Sequence, residues 1–171
     1  NLHEVFKKNI IKVTNRNASF WGSDLSQYED IKFFSKAPYL TSPLQKKFCI
    51  VLDLAETLIS LGPDESNENK GILKFRPGLI QFLTDIKKYY ELIVFTSATK
   101  EYGDKIEDVI ERNEKFFDMR LYREHTIKYQ NELVKDISRI GRPIEKIIIV
   151  DNMPQNFRFQ KENGITIKAY W

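Results

Sequence analysis

Three polar residues that could act on a phosphate ester each stand directly after a short apolar run. They are Asp53, Thr96 and Asp151. The runs that precede them are Phe48–Leu52, Leu92–Phe95 and Ile147–Val150. Continuous runs of this length, rich in β-branched residues, predict strands covered on both faces of a parallel sheet. Ligands of open α/β sheets bind at the carboxyl ends of the strands, so we expect these side chains to meet at one edge.

Such an edge could support cleavage of a phosphate ester, which needs a nucleophile, a positive charge and groups that hold the phosphoryl oxygens. Asp53 is the candidate nucleophile, because carboxylates form aspartyl-phosphates. Thr57 and Thr96 offer hydroxyls to the phosphoryl oxygens, and Lys135 offers a positive charge. The pair Asp151–Asn152 offers the hard oxygen ligands that Mg²⁺ prefers. A single strand-end aspartate is often structural, so the prediction rests on the complete set in this order.

The composition is that of a soluble, globular, single-domain protein. The chain has 171 residues, of which 42% are hydrophobic and 30% are charged. Its net charge of +3, from 27 basic and 24 acidic side chains, is too balanced to predict direct nucleic-acid binding. No apolar stretch approaches the ~20 residues that span a bilayer. The single cysteine, Cys49, lies within an apolar run, so we interpret it as a core thiol.

Strand and helix patterns alternate after residue 47, which predicts an α/β fold with a doubly wound, mainly parallel, Rossmann-like sheet. Helices are expected at about Pro77–Tyr90 and Lys100–Glu114. The polar segment 62–71 is expected to be a loop, and Ile165–Tyr170 a last strand. A small antiparallel β insert is expected from Phe117–Tyr122 and Thr126–Tyr129, with its turn at Gln130–Asn131.

The domain organisation predicted from these patterns is an N-terminal extension over residues 1–47 and an α/β domain over residues 48–171. Apolar residues at helical spacing predict one amphipathic helix near the start of the extension: Leu2, Val5, Phe6, Ile10 and Val13. The extension either packs on the domain or docks a partner protein. Since the chain begins with Asn1, we expect that its N-terminus is processed or trimmed.

The segment Val51–Leu58, with the sequence VLDLAETL, resembles the first motif of the haloacid dehalogenase superfamily. More closely, it resembles phosphatases of the C-terminal domain of RNA polymerase II, the NLI-interacting-factor-like family. Further motifs match that family in order: Phe75–Gly78, Val94–Ala98, Leu121–Glu124, Val134–Arg139 and Val150–Asn152. The resemblance runs from about Pro38 to Trp171. Relatives usually continue into a C-terminal helical segment, so the resemblance implies a chain trimmed after Trp171.

The resemblance implies a protein phosphatase in which Asp53 attacks phosphorus and Thr96 and Lys135 hold the phosphoryl group. Asp151 would support Lys135 and a bound water molecule. The substrate would be a phosphoserine or phosphothreonine protein. The family's reaction proceeds through an aspartyl-phosphate. The resemblance does not fix the compartment, and an intracellular location in the nucleus or cytoplasm is favoured.

The resemblance also implies a metal site and a substrate groove. Mg²⁺ would be bound by the Asp53 carboxylate, the backbone carbonyl of Ala55 and Asn152. Tyr102 and Arg123 match family positions that line the groove, although Tyr102 can equally be read as an ordinary aromatic on a helix face. Both sets of roles come from the family pattern and not from the spacing of the residues.

Ala55 departs from the family pattern, because the family has its second aspartate there. That aspartate protonates the leaving group and then activates water, and an alanine methyl can do neither. Glu56 is a poor substitute, since adjacent side chains in an extended segment point to opposite sides. Mg²⁺ binding should survive the change, because the ligand at position 55 is a backbone carbonyl.

Two main readings follow from Ala55. In the first, the chain is a phosphatase inactivated or crippled by an alanine substitution. In the second, it is a natural pseudophosphatase that binds protein partners without turnover, a use known in the family from a mitochondrial import receptor. The second reading would allow a mitochondrial location. A phosphatase of small metabolites is a third, weaker reading.

Overall fold

The fold is built on a five-stranded parallel sheet, as the computed structural model shows for residues 31–43, 45–64 and 67–171. In the described residues the strands are β1 (Lys32–Phe33), β2 (Phe48–Leu52), β3 (Ile59–Asp64), β4 (Asn67–Phe75), β5 (Tyr90–Phe95), β6 (Met119–Leu121), β7 (Ile127–Tyr129), β8 (Glu132–Val134), β9 (Ile147–Asp151) and β10 (Gly164–Thr166). The α-helices are α1 (Leu79–Ile86) and α2 (Lys100–Ile110). Short 3₁₀ segments lie at Arg123–His125, Ile137–Ile140, Ile144–Lys146 and Pro154–Asn163.

The strand order of the central sheet is β10-β9-β2-β5-β6, with every neighbouring pair parallel. Leu52 of β2 lies opposite Val94 of β5 on one side and opposite Val150 of β9 on the other. The residues that follow these three therefore lie at nearly the same level of the sheet. The predicted α/β fold with a mainly parallel sheet is confirmed.

Both faces of the sheet are covered, as the uninterrupted apolar runs predicted. Alternate strand residues such as Ile50 and Leu52 pack in one layer with α1, α2 and the segment at Phe116. The other residues, such as Val51 and Cys49, pack in a second layer under the 3₁₀ segments. Cys49 is fully buried there, and burial raises the pKa of its thiol, so the prediction of a core thiol is confirmed.

Several boundaries differ from the sequence-based predictions. The predicted loop at 62–71 is wrong, because β3 and β4 pair there as an antiparallel hairpin of their own. Polar side chains suggested a loop, but strand pairing uses backbone groups and tolerates such side chains.

The predicted insert strand Phe117–Tyr122 is also misplaced, since β6 joins the central sheet parallel to β5. The helices and the last strand are shorter than predicted. Just after α2, the carboxylate of Glu111 accepts hydrogen bonds from the backbone amides of Phe116 and Phe117.

The small antiparallel insert exists as the hairpin of β7 and β8, to which β1 adds a third strand. Gln130 and Asn131 form its turn with positive φ angles of 48° and 65°, the backbone that two-residue hairpin turns require. The N-terminal extension is described only from residue 31, so the amphipathic helix predicted near its start lies outside the described residues. Tyr39 and Leu40 donate backbone hydrogen bonds to Arg139 and Ile140 of the domain. None of the helices in the described ranges is long and apolar enough to cross a membrane.

A buried carboxylate on α2 gives the fold a pH-dependent element away from the sheet edge. Glu107 is fully buried, with its carboxylate 3.3 Å from Arg120 and 3.2 Å from the Tyr122 hydroxyl. Burial raises the pKa of Glu107 to about 7 despite the attraction of Arg120. Its favourable contribution to stability is therefore complete below the unfolded-state pKa and is lost as pH rises through about 7.

Glu107→Gln should stabilise the protein relative to the parent as pH rises from 5 to 8. The neutral amide keeps the shape of the side chain and avoids the cost of ionising it in the core. The difference in unfolding free energy should grow by about 1–3 kcal/mol over this range. Urea unfolding at both pH values measures it. Asp108→Asn, at an exposed position that also pairs with Arg120, is the control, and an equal pH response in both variants would contradict the assignment.

Candidate active site

The centre of the site is a buried ammonium group held between two carboxylates. Lys135 Nζ lies 2.5 Å from Asp53 Oδ1 and 2.7 Å from Asp151 Oδ2. Asp53 follows β2, Asp151 ends β9, and Lys135 follows β8, so three separate elements converge here. Lys135 is only 1% exposed, and both aspartates are buried. The structure thus brings together the predicted nucleophile, the predicted cation and the second predicted carboxylate.

The charges of this cluster do not balance. Burial lowers the pKa of Lys135, but Asp53 and Asp151 together raise it further, so the ammonium stays protonated. Burial and the neighbouring Asp151 raise the pKa of Asp53, against the opposing effect of Lys135. Among the described residues, Lys135 is the cation that pairs with these two carboxylates. With both carboxylates ionised, the cluster carries a net negative charge in a region largely shielded from water.

Asp151 is held in place by amide groups that the sequence analysis did not single out. The side-chain amide of Asn156 lies 3.0 Å from each oxygen of Asp151, and the backbone amide of Met153 donates to Oδ1 at 2.8 Å. The backbone carbonyl of Asn156 also accepts a hydrogen bond from the Lys135 backbone amide. Asn156 thus links the segments that carry two of the charged groups. Its position five residues after Asp151 gave no periodic signal that could have identified it.

Thr57 connects Asp53 with Asn152. A hydrogen bond from the Thr57 hydroxyl favours the ionised form of Asp53. The same hydroxyl oxygen accepts from the backbone amide of Asn152 at 3.2 Å and lies 3.5 Å from Asn152 Oδ1. Both predicted residues therefore lie beside the nucleophile candidate, on the side away from β5.

The segment after Asp53 is a turn and not the extended strand that the sequence analysis assumed. Glu56 has a φ angle of 59°, and Ala55 is exposed. The Glu56 carboxylate accepts a hydrogen bond from Asn152 Nδ2 at 2.9 Å. The expectation that Glu56 points away from the site is therefore wrong, because the tight turn redirects its side chain toward Asn152. Position 55 presents only a methyl group.

Thr96 and Arg123 lie along the neighbouring part of the edge, whereas no hydrogen bond joins Tyr102 to them in the described residues. Thr96 is buried after β5, and its hydroxyl accepts from the Ala98 amide at 3.1 Å. Arg123 donates from Nε to the Ser97 carbonyl at 2.8 Å, which places it against the loop that follows Thr96. An open cavity of about 290 Å³ lies here, lined by Phe34, Thr99, Arg123 and Glu124. Tyr102 is 46% exposed on α2 and does not line this cavity.

The donor atoms of the site fit a magnesium ion. No group of three or more His, Cys, Asp or Glu side chains that could hold a metal occurs in the described part of the chain. Mg²⁺, however, is commonly bound by one or two carboxylates and keeps several water ligands. Asp53, Asn152 and the backbone of Ala55 supply only hard oxygen atoms, and the net negative charge of the cluster favours a cation. The residues present are thus compatible with the predicted ligand set.

Removing the ammonium while keeping both carboxylates should destabilise the fold strongly. Lys135→Met should cost about 3–5 kcal/mol of unfolding free energy at pH 7, because it leaves two adjacent buried carboxylates uncompensated. Asp53→Asn should cost much less, since Lys135 keeps Asp151 as its partner. The loss in Lys135→Met should shrink as pH falls and the carboxylates protonate. Denaturant titration measures these values, with Lys105→Met at an exposed position as the control. Equal losses in all three variants would refute the charge assignment.

Comparison with proteins of known sequence shows that the motifs belong to one family. The family model of NLI interacting factor-like phosphatases matches residues 48–171. Phosphatase PSR1 of Saccharomyces cerevisiae is 31% identical over 159 residues, which cover 85% of this chain and 37% of that protein. Nuclear envelope morphology protein 1 of Schizosaccharomyces pombe is 36% identical over 148 residues, covering 78% of this chain and 31% of the relative.

A mouse protein shows the same relationship, and a solved structure shows a similar fold. Carboxy-terminal domain RNA polymerase II polypeptide A small phosphatase 2 of Mus musculus is 30% identical over 168 residues, covering 87% of this chain and 62% of the relative. Fcp1, an RNA polymerase II CTD phosphatase, has a similar fold with a TM-score of 0.61 at 23% identity, covering 73% of this chain and 42% of that one. The chain spans about a third of the length of the first two relatives. The match over residues 48–171 establishes that the chain belongs to the NLI interacting factor-like phosphatase family.

Proposed function

We propose that this chain has the site of a Mg²⁺-dependent protein serine/threonine phosphatase that works through an aspartyl-phosphate, and that Ala55 blocks most of its turnover. The observation that carries the proposal is the buried Asp53–Lys135–Asp151 cluster at the carboxyl edge of the sheet. Membership of a protein phosphatase family supports the reaction class. The cluster provides a nucleophile beside a fixed positive charge.

In the first step an oxygen of Asp53 forms a bond to phosphorus while the bond from phosphorus to the substrate oxygen breaks. Lys135 favours the ionised form of Asp53 before attack and can then hold a phosphoryl oxygen, since its ammonium has three donors. Thr96 can offer a further hydroxyl from the adjacent strand end. Asp151, fixed by Asn156, keeps Lys135 in position and protonated.

The departing substrate oxygen needs a proton unless it is stable as an anion. In the second step a water oxygen bonds to phosphorus while the bond from phosphorus to the Asp53 oxygen breaks, which releases phosphate and regenerates the carboxylate. A base must take the proton of that water. A carboxyl group at position 55 could serve both steps, but the methyl group of Ala55 has no acidic proton to give and no lone pair to accept one. Asp53 attack on a good leaving group is therefore retained, while release of phosphate is slow.

Mg²⁺ would be held by the Asp53 carboxylate, the carbonyl of Ala55 and the side-chain oxygen of Asn152. When bound, it would offset the negative charge of the phosphoryl group. The excess negative charge of the Asp53 and Asp151 pair supports this assignment. Because none of these donors is the side chain at position 55, the alanine leaves the donor set intact.

The proposed substrate is a phosphoserine or phosphothreonine in a protein. The relatives include proteins named as phosphatases of the RNA polymerase II C-terminal domain and a nuclear envelope morphology protein. We accordingly place the activity in the nucleus or cytoplasm. Arg123 and the cavity beside Phe34 form a groove next to Thr96 that could receive residues flanking the phosphate. Tyr102 is exposed on α2, outside that cavity. It would contact only the part of a bound substrate that extends past the cavity.

The alternative function is a pseudophosphatase that binds a phosphoprotein or another protein without turnover. The exposed methyl group of Ala55 is the observation that favours it. Both readings share the phosphate-binding cluster, and they differ in whether the rest of the site can still complete the reaction. Restoring the missing carboxyl group separates them.

Ala55→Asp should raise hydrolysis of a phosphoserine peptide by ~10²–10⁴-fold with Mg²⁺ present, the usual contribution of general acid–base catalysis. Hydrolysis of an aryl phosphate should gain less, because an aryl oxide leaves without much help from a proton. Phosphate release measured for both substrates tests this difference. Ala55→Asn is the matched control, as its amide has a similar size but cannot exchange a proton at neutral pH.

Equal activity of the Asp and Asn variants would refute the acid–base role of position 55. A fully folded Ala55→Asp protein that hydrolyses neither substrate would favour the non-catalytic alternative. In that case a phosphopeptide that still binds the parent would identify the cluster as a recognition site. Binding of that phosphopeptide would then depend on Lys135 and Thr96, as proposed for the substrate.

The parent protein should accumulate a phosphorylated form when given an aryl phosphate and Mg²⁺. Asp53 can attack this substrate, but no base at position 55 helps water to release the product. Intact-mass spectrometry after acid quench should show an adduct of ~80 Da, one phosphoryl group on a carboxylate. Peptide mapping should place it on Asp53. An adduct that persists in Asp53→Asn, or that maps to Asp151, would contradict the nucleophile assignment.

A further inference from the structure

Glu56 occupies an unfavourable backbone conformation next to the site. Its φ angle of 59° lies in the left-handed region, which costs non-glycine residues energy and persists only where the surroundings impose it. Glycine would satisfy the turn more easily. A long charged side chain at such a position suggests that the side chain itself is used.

Hydrogen bonds from three directions hold the backbone of Glu56 in this turn. Its amide donates to the Ile59 carbonyl at 2.7 Å. Its carbonyl accepts from the Tyr170 amide at 2.8 Å and from Arg76 Nη2 at 3.0 Å. Arg76 also donates from Nε to the Thr57 carbonyl at 2.6 Å. The direction in which the Glu56 side chain leaves the backbone is therefore fixed by contacts outside the site.

The Glu56 carboxylate uses this direction to bind one end of the Asn152 amide. Asn152 Nδ2 lies 2.9 Å from Glu56 Oε2, while Asn152 Oδ1 lies on the other side, 3.5 Å from the Thr57 hydroxyl. Thr57 in turn hydrogen-bonds Asp53. The amide nitrogen is thus turned to Glu56 and the amide oxygen to the Thr57 hydroxyl, which lies beside Asp53.

The orientation matters because the two ends of an asparagine amide have opposite properties. The oxygen can ligate a hard cation, whereas the NH₂ group is a donor and repels one. Without a partner for Nδ2, a rotation of the terminal torsion could present nitrogen toward Asp53. An acceptor that holds Nδ2 removes this unproductive orientation before any ion arrives.

We propose that Glu56 is a positioning residue, which holds the Asn152 amide with its oxygen toward the Mg²⁺ site. This inference rests on the proposed function, since it assumes that Asn152 is a ligand. It assigns Glu56 no proton transfer and no direct bond to the metal. It also explains why this turn carries a glutamate rather than a glycine.

Calorimetric titration of the purified parent protein with MgCl₂ tests the proposal. Glu56→Gly should weaken Mg²⁺ binding by ~10–100-fold, the usual loss when the hydrogen-bond partner of a metal ligand is removed. Glu56→Gln keeps an acceptor oxygen for Asn152 Nδ2 and should recover most of the affinity. Glu101→Gln, an exposed glutamate on α2, controls for the loss of one negative charge. Asn152→Ala sets the affinity expected when the ligand itself is missing.

Thermal unfolding separates positioning from a structural role. Glycine relieves the left-handed strain, so Glu56→Gly should unfold at the same temperature as the parent or higher, although its Mg²⁺ affinity is lower. A side-chain amide ¹⁵N–¹H spectrum, with the Asn152 signal assigned from Asn152→Ala, should show that signal shifted in Glu56→Gly and near its parental position in Glu56→Gln. This second readout needs neither metal nor turnover.

These measurements distinguish failure of the positioning role of Glu56 from failure of the proposed function. Parental Mg²⁺ affinity in Glu56→Gly, or an unchanged Asn152 amide signal, would overturn the role of Glu56 and leave the phosphatase assignment in place. Mg²⁺ binding that is unaffected by Asn152→Ala would overturn the ligand set and the positioning role together. If Glu56→Gly and Glu56→Gln both bind Mg²⁺ more weakly at a normal melting temperature, the acceptor oxygen of glutamine does not restore the affinity. That result would reject the hydrogen bond to Asn152 as the mechanism.

Discussion

The buried contact of Lys135 with Asp53 and Asp151 is the interaction on which the rest of the site depends. Burying an ammonium group is costly unless its partners are close and well oriented, and distances of 2.5 and 2.7 Å provide such partners. They are available because β2 and β9 are paired so that Leu52 lies opposite Val150. A shift of one residue in that register would separate the carboxylates and leave Lys135 without compensation.

The surrounding segments determine how the remaining polar groups face this cluster. The turn after β2 brings Thr57 next to Asp53 and Asn152, and Arg76 fixes that turn by binding its carbonyl groups. After β9, Asn156 holds both oxygens of Asp151. Each of the two carboxylates thus has a neutral partner that limits its rotation. Under the proposed function, such preorganisation means that little rearrangement is needed when a phosphoryl group enters.

The sequence predicted the parts of the site that depend on local pattern. Asp53, Thr96 and Asp151 were identifiable because an apolar run ending in a polar residue marks the carboxyl end of a parallel strand. The environment of Glu56 was not, because it requires a positive φ angle set by Ile59, Arg76 and Tyr170, of which the last two are far away in sequence. The β3–β4 hairpin was missed for a related reason, since its polar residues carry no alternation that indicates pairing.

The loss of a carboxyl group at position 55 separates binding from turnover in physical terms. Under the proposed function, ground-state binding of a phosphoryl group depends on Lys135, Thr96 and the oxygen ligands, and the side chain of Ala55 is not among them. Proton transfer lowers only the barriers to leaving-group departure and water attack, so its loss affects rates and not occupancy. Under the proposed function, a chain with this cluster and Ala55 would hold a phosphorylated partner for longer than an enzyme with both carboxylates would. That property suits a trapped phosphatase and a phosphoprotein-binding module alike, which is why the chemistry at position 55, and not the fold, distinguishes the two.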